Sequence, residues 1–164
     1  MKKSDLFKII QAQAENQHID PAIVYGVCCQ ESSLRPTAIR HEPGYRWLYK
    51  PSITIMKNAG ARREEEAAQK TSWGLMQVMG GVLRELGYTG DLSDILADPE
   101  AQVRYGCIHL RKKINQFGLI PGIAAYKTGC PKINPDGKYI NQHYVDKVIN
   151  YSKSFEKELE KWQA

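Results

Sequence analysis

The sequence lacks any uninterrupted apolar run that could cross a membrane, which takes about 20 mostly apolar residues. The first twenty residues, MKKSDLFKIIQAQAENQHID, begin with two lysines but contain no continuous apolar stretch of the kind found in signal peptides. We therefore expect no stable membrane insertion. We also expect synthesis in the cytoplasm, so that any work outside the cytoplasm needs a separate route of release.

Neither cysteine nor histidine shows the spacing of a metal site. The four cysteines include no C-x-x-C pair, and the four histidines are scattered along the chain. Cys28 and Cys29 are neighbours in an apolar helical segment, where cysteine behaves as a small hydrophobic residue. We therefore predict reduced thiols and no metal site.

Strand-like alternation of apolar and polar residues is also nearly absent, whereas helical spacing is frequent. The Asp-Pro pairs at 20–21 and 98–99 are typical helix starts, because aspartate caps and proline suits the first turn. The 164 residues, 42% of them hydrophobic and 25% charged, have the composition of one globular domain. We predict a mainly α domain over residues 1–164, with a helix through 73–87 and room for one short β-hairpin near 50–70.

The net charge of +5 is compatible with an anionic partner such as nucleic acid, a membrane surface or a cell-wall polymer. A basic surface that only keeps the protein soluble is an equally simple explanation. The positive residues are interleaved with acids, and no helix is rich in arginine. We therefore do not expect a nucleic-acid partner.

One acid has an unusual position. Glu31 lies four residues after Val27 and eight after Ile23, so the three side chains share one face of the predicted helix. A carboxyl held against apolar surface loses solvation of its charged form, which raises its pKa and suits a general acid. The spacing alone favours a structural alternative, a helix-end glutamate paired with Arg35 or Arg40.

Glu31 is the first residue of the first of five sequence blocks that together carry a family resemblance. They are ESSLRPTA, SWGLMQVMG, DPEAQVRYG, IAAYKTG and YVDKVINY, in this order. Over residues 20–151 they resemble the soluble lytic transglycosylase domain. The segments HEPGYRWLYKP and TSWGLMQVMG are most similar to the muralytic enzymes of phages and prophages. The resemblance implies a lysozyme-like α fold, close to goose-type lysozyme, and cleavage of the glycan of peptidoglycan.

The resemblance also implies that Glu31 is the catalytic acid/base. It would protonate the oxygen between N-acetylmuramic acid (MurNAc) and N-acetylglucosamine (GlcNAc). It would then accept the proton of the muramoyl 6-hydroxyl as that oxygen attacks C1 and closes a 1,6-anhydro ring. This chemistry needs no cofactor and no second carboxylate, whereas hydrolases usually place two acids about 5 to 9.5 Å apart.

The matched blocks imply a set of substrate-binding residues along a groove. They are Ser32, Gly74, Leu75, Met76, Gln77, Tyr126, Lys127 and Tyr144. Ser32 could orient the acid or merely cap a turn. Gly74 would allow close approach of the sugar to the backbone, and Gln77 offers it a donor and an acceptor.

Core packing is the alternative for several of these residues. It is the expectation for at least one of Leu75 and Met76. The Tyr126 hydroxyl could donate to Glu31 or to an N-acetyl group, and Tyr144 could face the groove or pack in the core.

Two features depart from the family pattern. Lys127 replaces the usual asparagine, and a positive charge near Glu31 would lower its pKa. Lys127 therefore points away, contacts the substrate or shifts the pH optimum. The segment 37–72 is longer than in cellular members and contains Trp47, which could stack on a sugar or be buried. It also contains Glu42, a candidate second carboxylate, with Glu64, Glu65 and Glu66 less plausible.

The leading interpretation is a monomeric lytic transglycosylase acting on peptidoglycan for phage or prophage wall lysis or penetration. It would reach the wall after holin-type release, secretion or delivery in a virion. A muramidase that hydrolyses the same bond is one alternative, with Glu42 as its second acid. A catalytically silent peptidoglycan-binding module is an alternative of another class.

Overall fold

The structure, a computed structural model, describes residues 2–163. Within them the helices are α1 (Lys3–Asn16), α2 (Pro21–Ser32), α3 (Lys50–Thr54), α4 (Ala59–Gln69), α5 (Gly80–Glu85), α6 (Pro99–Phe117), α7 (Leu119–Thr128), α8 (Gln142–Ser152) and α9 (Phe155–Gln163), with a 3₁₀ helix at Leu92–Ala97. The strands are β1 (Ile39–His41), β2 (Thr71–Trp73) and β3 (Val78–Met79). The predicted mainly α fold is confirmed. None of the described helices is both long and apolar enough to span a membrane.

Both predicted Asp-Pro helix starts are confirmed. α2 begins at Pro21, and the Asp20 carboxylate accepts a hydrogen bond of 2.8 Å from the Ala22 N–H. α6 begins at Pro99, and the Asp98 carboxylate accepts one of 2.9 Å from the Ala101 N–H. Each cap satisfies a backbone donor that has no partner inside its helix, which fixes where the helix begins.

The small sheet differs from the predicted hairpin. Its strands are antiparallel in the order β1-β2-β3, with Ile39 opposite Trp73 and Trp73 opposite Val78. The hairpin prediction near residues 50–70 was wrong, because most of that stretch forms α3 and α4. The predicted helix over 73–87 was wrong in its first half. Gly74 and Gln77 have φ of 68° and 49°, and this left-handed backbone forms a turn between β2 and β3.

α2 is the central element that positions the acid. Val24, Val27 and Cys28 on this helix are fully buried in the hydrophobic core. Gly26 lets α2 lie directly against α8, since a Cβ at Gly26 would collide with the Val148 carbonyl oxygen. This close packing brings the C-terminal turn of α2 next to α8, and it fixes where the Glu31 side chain lies.

Candidate active site

An open cleft of about 370 Å³ lies beside the end of α2. Three parts of the chain form its walls: the last turn of α2, the segment that leads into β1, and the turn between β2 and β3. The lining residues are Glu31, Arg35, Thr37, Ala38, Ile39, Arg40 and Gln77. One buried acid therefore meets a polar, positively charged wall.

Glu31 is held by groups from two other helices, α7 and α8. Its side chain is only 5% exposed. Oε1 accepts a hydrogen bond of 2.8 Å from the Tyr144 hydroxyl, and Oε2 lies 3.8 Å from Lys127 Nζ. The structural alternative of an ion pair with Arg35 or Arg40 is wrong, because the described ion pair is with Lys127.

Burial has the largest effect on the pKa of Glu31. Loss of solvation raises the pKa of this carboxyl above the ordinary 4.5, and the charge of Lys127, the Tyr144 hydrogen bond and the charge of Arg40 act in the opposite direction. The net pKa is still raised. Glu31 therefore keeps its proton to a higher pH than an exposed glutamate does, as a general acid requires.

Tyr144 combines the two alternatives that the sequence left open. Its ring is buried in the core, while its hydroxyl contacts Glu31. Burial and the neighbouring Glu31 charge raise the Tyr144 pKa well above its usual value, so the hydroxyl remains a donor.

Ser32 has a different role from either of the predicted ones. Its buried hydroxyl lies 3.0 Å from the Cys28 carbonyl oxygen and 2.8 Å from the Leu75 carbonyl oxygen, so these two acceptors share its one hydrogen. It therefore neither orients Glu31 nor caps a turn. It joins the end of α2 to the turn at residues 74–77, which is the opposite wall of the cleft.

The side chains of this turn point mostly inward. Leu75 and Met76 are fully buried, which confirms the core packing expected for at least one of them. Gly74 is required for a reason other than sugar approach, because a Cβ there would collide with the side chain of Gln102. Packing inside the protein thus accounts for three of the four residues in the G-L-M-Q block.

Gln77 is the member of the block that lines the cleft. Its amide nitrogen donates to the carbonyl oxygens of Ala38 at 2.9 Å and Gly74 at 2.8 Å, and Oε1 accepts from Ser72 at 3.0 Å. Both amide hydrogens are therefore engaged within the protein. The predicted donor to the sugar is not available in this arrangement, whereas Oε1 has capacity for a second hydrogen bond.

Tyr126 also supports the turn and not the acid. Its buried hydroxyl donates to the Met76 carbonyl oxygen at 2.7 Å. A hydroxyl has one hydrogen to donate, so in this conformation Tyr126 does not donate to Glu31, which accepts from Tyr144 instead. The Tyr126 hydrogen bond instead connects α7 to the 74–77 turn, which forms one wall of the cleft.

Gln102 is a residue that the sequence analysis missed. It is buried on α6, where Oε1 accepts from the Leu75 N–H at 2.8 Å. Nε2 donates to the carbonyl oxygens of Pro36 at 3.0 Å and Ile95 at 2.9 Å. The signal was a glutamine on the apolar side of a helix, four residues before the buried Gly106.

None of the candidate second carboxylates, Glu42, Glu64, Glu65 and Glu66, is among the described residues that line the cleft. Glu42 pairs with Arg40 at 2.6 Å on the surface and is not among the lining residues. Glu65 forms a buried pair with Arg84 at 2.8 Å, and the Arg84 hydrogen bonds lower its pKa to about 2. Glu64 is exposed on α4. Among the described residues, no group of three histidine, cysteine or acidic side chains could hold a metal ion.

Replacing Gln102 tests how this wall is built. In Gln102→Met the Leu75 N–H and the carbonyl groups of Pro36 and Ile95 lose their partner, so we expect the free energy of unfolding to fall by about 3 kcal/mol. Urea denaturation measures this loss. The matched control is Gln116→Met, at an exposed position of the same helix, which should change stability by less than about 0.5 kcal/mol. Equal stability of the two variants would contradict the role of Gln102.

Comparison with known proteins gives a family. The family model described as the transglycosylase SLT domain matches residues 8–149 of the 164. No curated protein matches the chain at a significant level. The matched range contains Glu31, the 74–77 turn, Lys127 and Tyr144, and the mainly helical fold with its small sheet is consistent with the lysozyme-like fold of the family. The chain therefore belongs to the transglycosylase SLT family, the lytic transglycosylases that act on peptidoglycan.

Proposed function

We propose that the protein cleaves the MurNAc-β-1,4-GlcNAc bond of peptidoglycan and leaves a 1,6-anhydro-MurNAc end. The observation that supports this product is the single acid of the cleft. Of the described residues that line it, Glu31 is the only one with a carboxylate. One acid is sufficient when the muramoyl 6-hydroxyl is the nucleophile, whereas hydrolysis usually needs a second carboxylate.

Glu31 acts twice in the proposed reaction. First, its proton moves to the glycosidic oxygen, the bond from C1 to that oxygen breaks, and GlcNAc leaves with a free 4-hydroxyl. Next, the Glu31 carboxylate takes the proton of the 6-hydroxyl, whose oxygen forms the new bond to C1. Glu31 ends protonated, so the cycle consumes no water.

The two carboxylate oxygens have different surroundings. Tyr144 donates to Oε1 at 2.8 Å, while Lys127 Nζ at 3.8 Å is too distant from Oε2 for a hydrogen bond. We therefore assign the transferred proton to Oε2. Tyr144 and Lys127 stabilise the carboxylate between the two steps, because one donates to it and the other places a positive charge beside it.

The alternatives have less support. A muramidase would need a second acid in the cleft, yet Glu42 is paired with Arg40 and Glu65 with Arg84. A catalytically silent binding module would not require a buried acid with a raised pKa. The role in phage or prophage wall lysis stays a prediction of the sequence. Recovery of the native protein from the periplasm of intact cells would contradict it.

The products distinguish these reactions. We expect digestion of purified peptidoglycan to give muropeptides that end in 1,6-anhydro-MurNAc, identified by mass spectrometry. Glu31→Gln keeps the shape of the side chain but cannot give or take the proton, so its rate should fall by at least about 100-fold. Reducing ends from the wild type would indicate a hydrolase. An unimpaired Glu31→Gln variant would exclude Glu31 as the acid.

Lys127 should set the alkaline limit of activity. kcat/KM falls as pH rises through the pKa of the acid, and the Lys127 charge lowers that pKa. Lys127→Met and Lys127→Asn should therefore move the alkaline limb to higher pH, with roughly threefold more activity on that limb relative to each variant's own maximum. Lys127→Arg should preserve the wild-type limb.

The pH profile of kcat/KM measures this effect, with Lys8→Met, at an exposed position of α1, as the control. The groups facing Glu31 from the other elements, Tyr144 and Arg40, are unchanged in every variant. A rise in KM with an unmoved limb would show that Lys127 contacts substrate and not the acid.

A further inference from the structure

The segment between β1 and α3 presents a large aromatic side chain to solvent. Trp47 is 76% exposed, so the alternative of a buried aromatic is wrong. A single exposed apolar residue is ordinary on a protein surface. Trp47 differs from such a residue in one respect. The backbone of its segment is held by contacts with the rest of the protein, while its indole ring faces solvent.

Hydrogen bonds hold this segment at both ends. The Glu42 N–H donates to the Lys70 carbonyl oxygen at 2.7 Å. The Tyr49 N–H donates to Gln69 Oε1 at 2.6 Å, and Gln69 Nε2 lies 3.2 Å from the Tyr49 carbonyl oxygen. Gln69 is itself fully buried. The segment is therefore anchored to the end of α4.

The middle of the segment packs equally closely. A Cβ at Gly81 would lie 2.7 Å from the Trp47 carbonyl oxygen and 3.2 Å from the Tyr45 ring, so the glycine admits both residues. The Tyr45 ring lies 5.8 Å from the Trp47 ring at an interplanar angle of 59°. Tyr45 thus supports one side of the indole. A supported indole on a fixed backbone loses little conformational entropy when a ligand covers it.

Both the Trp47 segment and Gly81, which it contacts, follow closely in the sequence on residues that line the cleft. Ile39 and Arg40 line the cleft on β1, and the Trp47 segment follows that strand directly. Gln77 lines the cleft before β3, and Gly81 follows that strand. Trp47 is not among the lining residues, so a ligand in contact with it would extend beyond the cleft.

We propose that Trp47, supported by Tyr45, is a distal glycan-binding subsite, where the indole stacks on a pyranose ring of a long glycan strand. The proposal rests on the proposed function, since it assigns the occupant as the strand whose scissile bond lies at Glu31. The apolar C–H face of a pyranose matches an indole, and a polymer is long enough to occupy both places at once. The subsite would hold the strand without taking part in the chemistry.

The test compares Trp47→Ala on long glycan strands and on a short tetrasaccharide. On long strands KM should rise roughly three- to tenfold with kcat unchanged, as expected for the loss of one aromatic contact. The short substrate should show a smaller change, because it has fewer sugar rings with which to reach beyond the cleft. Trp47→Tyr should restore most of the affinity. The matched control is Ile55→Ala. It removes another exposed apolar side chain, 75% exposed, from the same segment 37–72.

Two results would overturn the proposal. One is a Trp47→Ala variant that matches Ile55→Ala on long strands, and the other is an equal loss on long and short substrates. Cosedimentation with insoluble peptidoglycan, in the Glu31→Gln background, gives a second measurement that needs no turnover. A weaker bound fraction for Trp47→Ala supports the subsite, and an unchanged one overturns it. Failure of the proposed function would appear separately, as a wild-type enzyme that forms no anhydro ends.

Discussion

Desolvation of one carboxyl is the constraint on which the rest of the site depends. Glu31 has lost almost all contact with water, and this raises its pKa although Lys127, Tyr144 and Arg40 all favour its charged form. α2 lies directly against α8 at Gly26, and Tyr144 on α8 donates to the carboxylate. The opposing effects leave an acid that can hold a proton and also release it.

The opposite wall of the cleft is built by buried hydrogen bonds to its backbone. Ser32 and Tyr126 donate to carbonyl oxygens of the 74–77 turn, and Gln102 accepts from its Leu75 N–H. These three residues lie in three of the five sequence blocks, yet their side chains bind the protein itself. The blocks therefore specify mainly a rigid wall, and a rigid wall fixes the acid relative to the sugar.

The local parts of this arrangement could be predicted from the sequence. The spacing from Ile23 to Glu31 placed the acid on the buried face of α2, and Asp-Pro pairs marked two helix starts. The turn at residues 74–77 could not be predicted, because apolar residues at helical spacing surround it and Gln77 takes a left-handed φ that is rare outside glycine. Ser32 and Gln102 also bind backbone groups far away in the chain, at Leu75 and Pro36, and no local pattern reveals these contacts.

The most direct test of this account is the pKa of Glu31 itself, measured by ¹³C NMR titration of the side-chain carboxyl in the wild-type protein. The account predicts a pKa above the ordinary 4.5 of glutamate, because burial outweighs the nearby positive charges. A pKa at or below that value would mean that Lys127 and Tyr144 keep the carboxylate ionised. Glu31 would then lack the proton that the first step requires, and the proposed mechanism would be wrong.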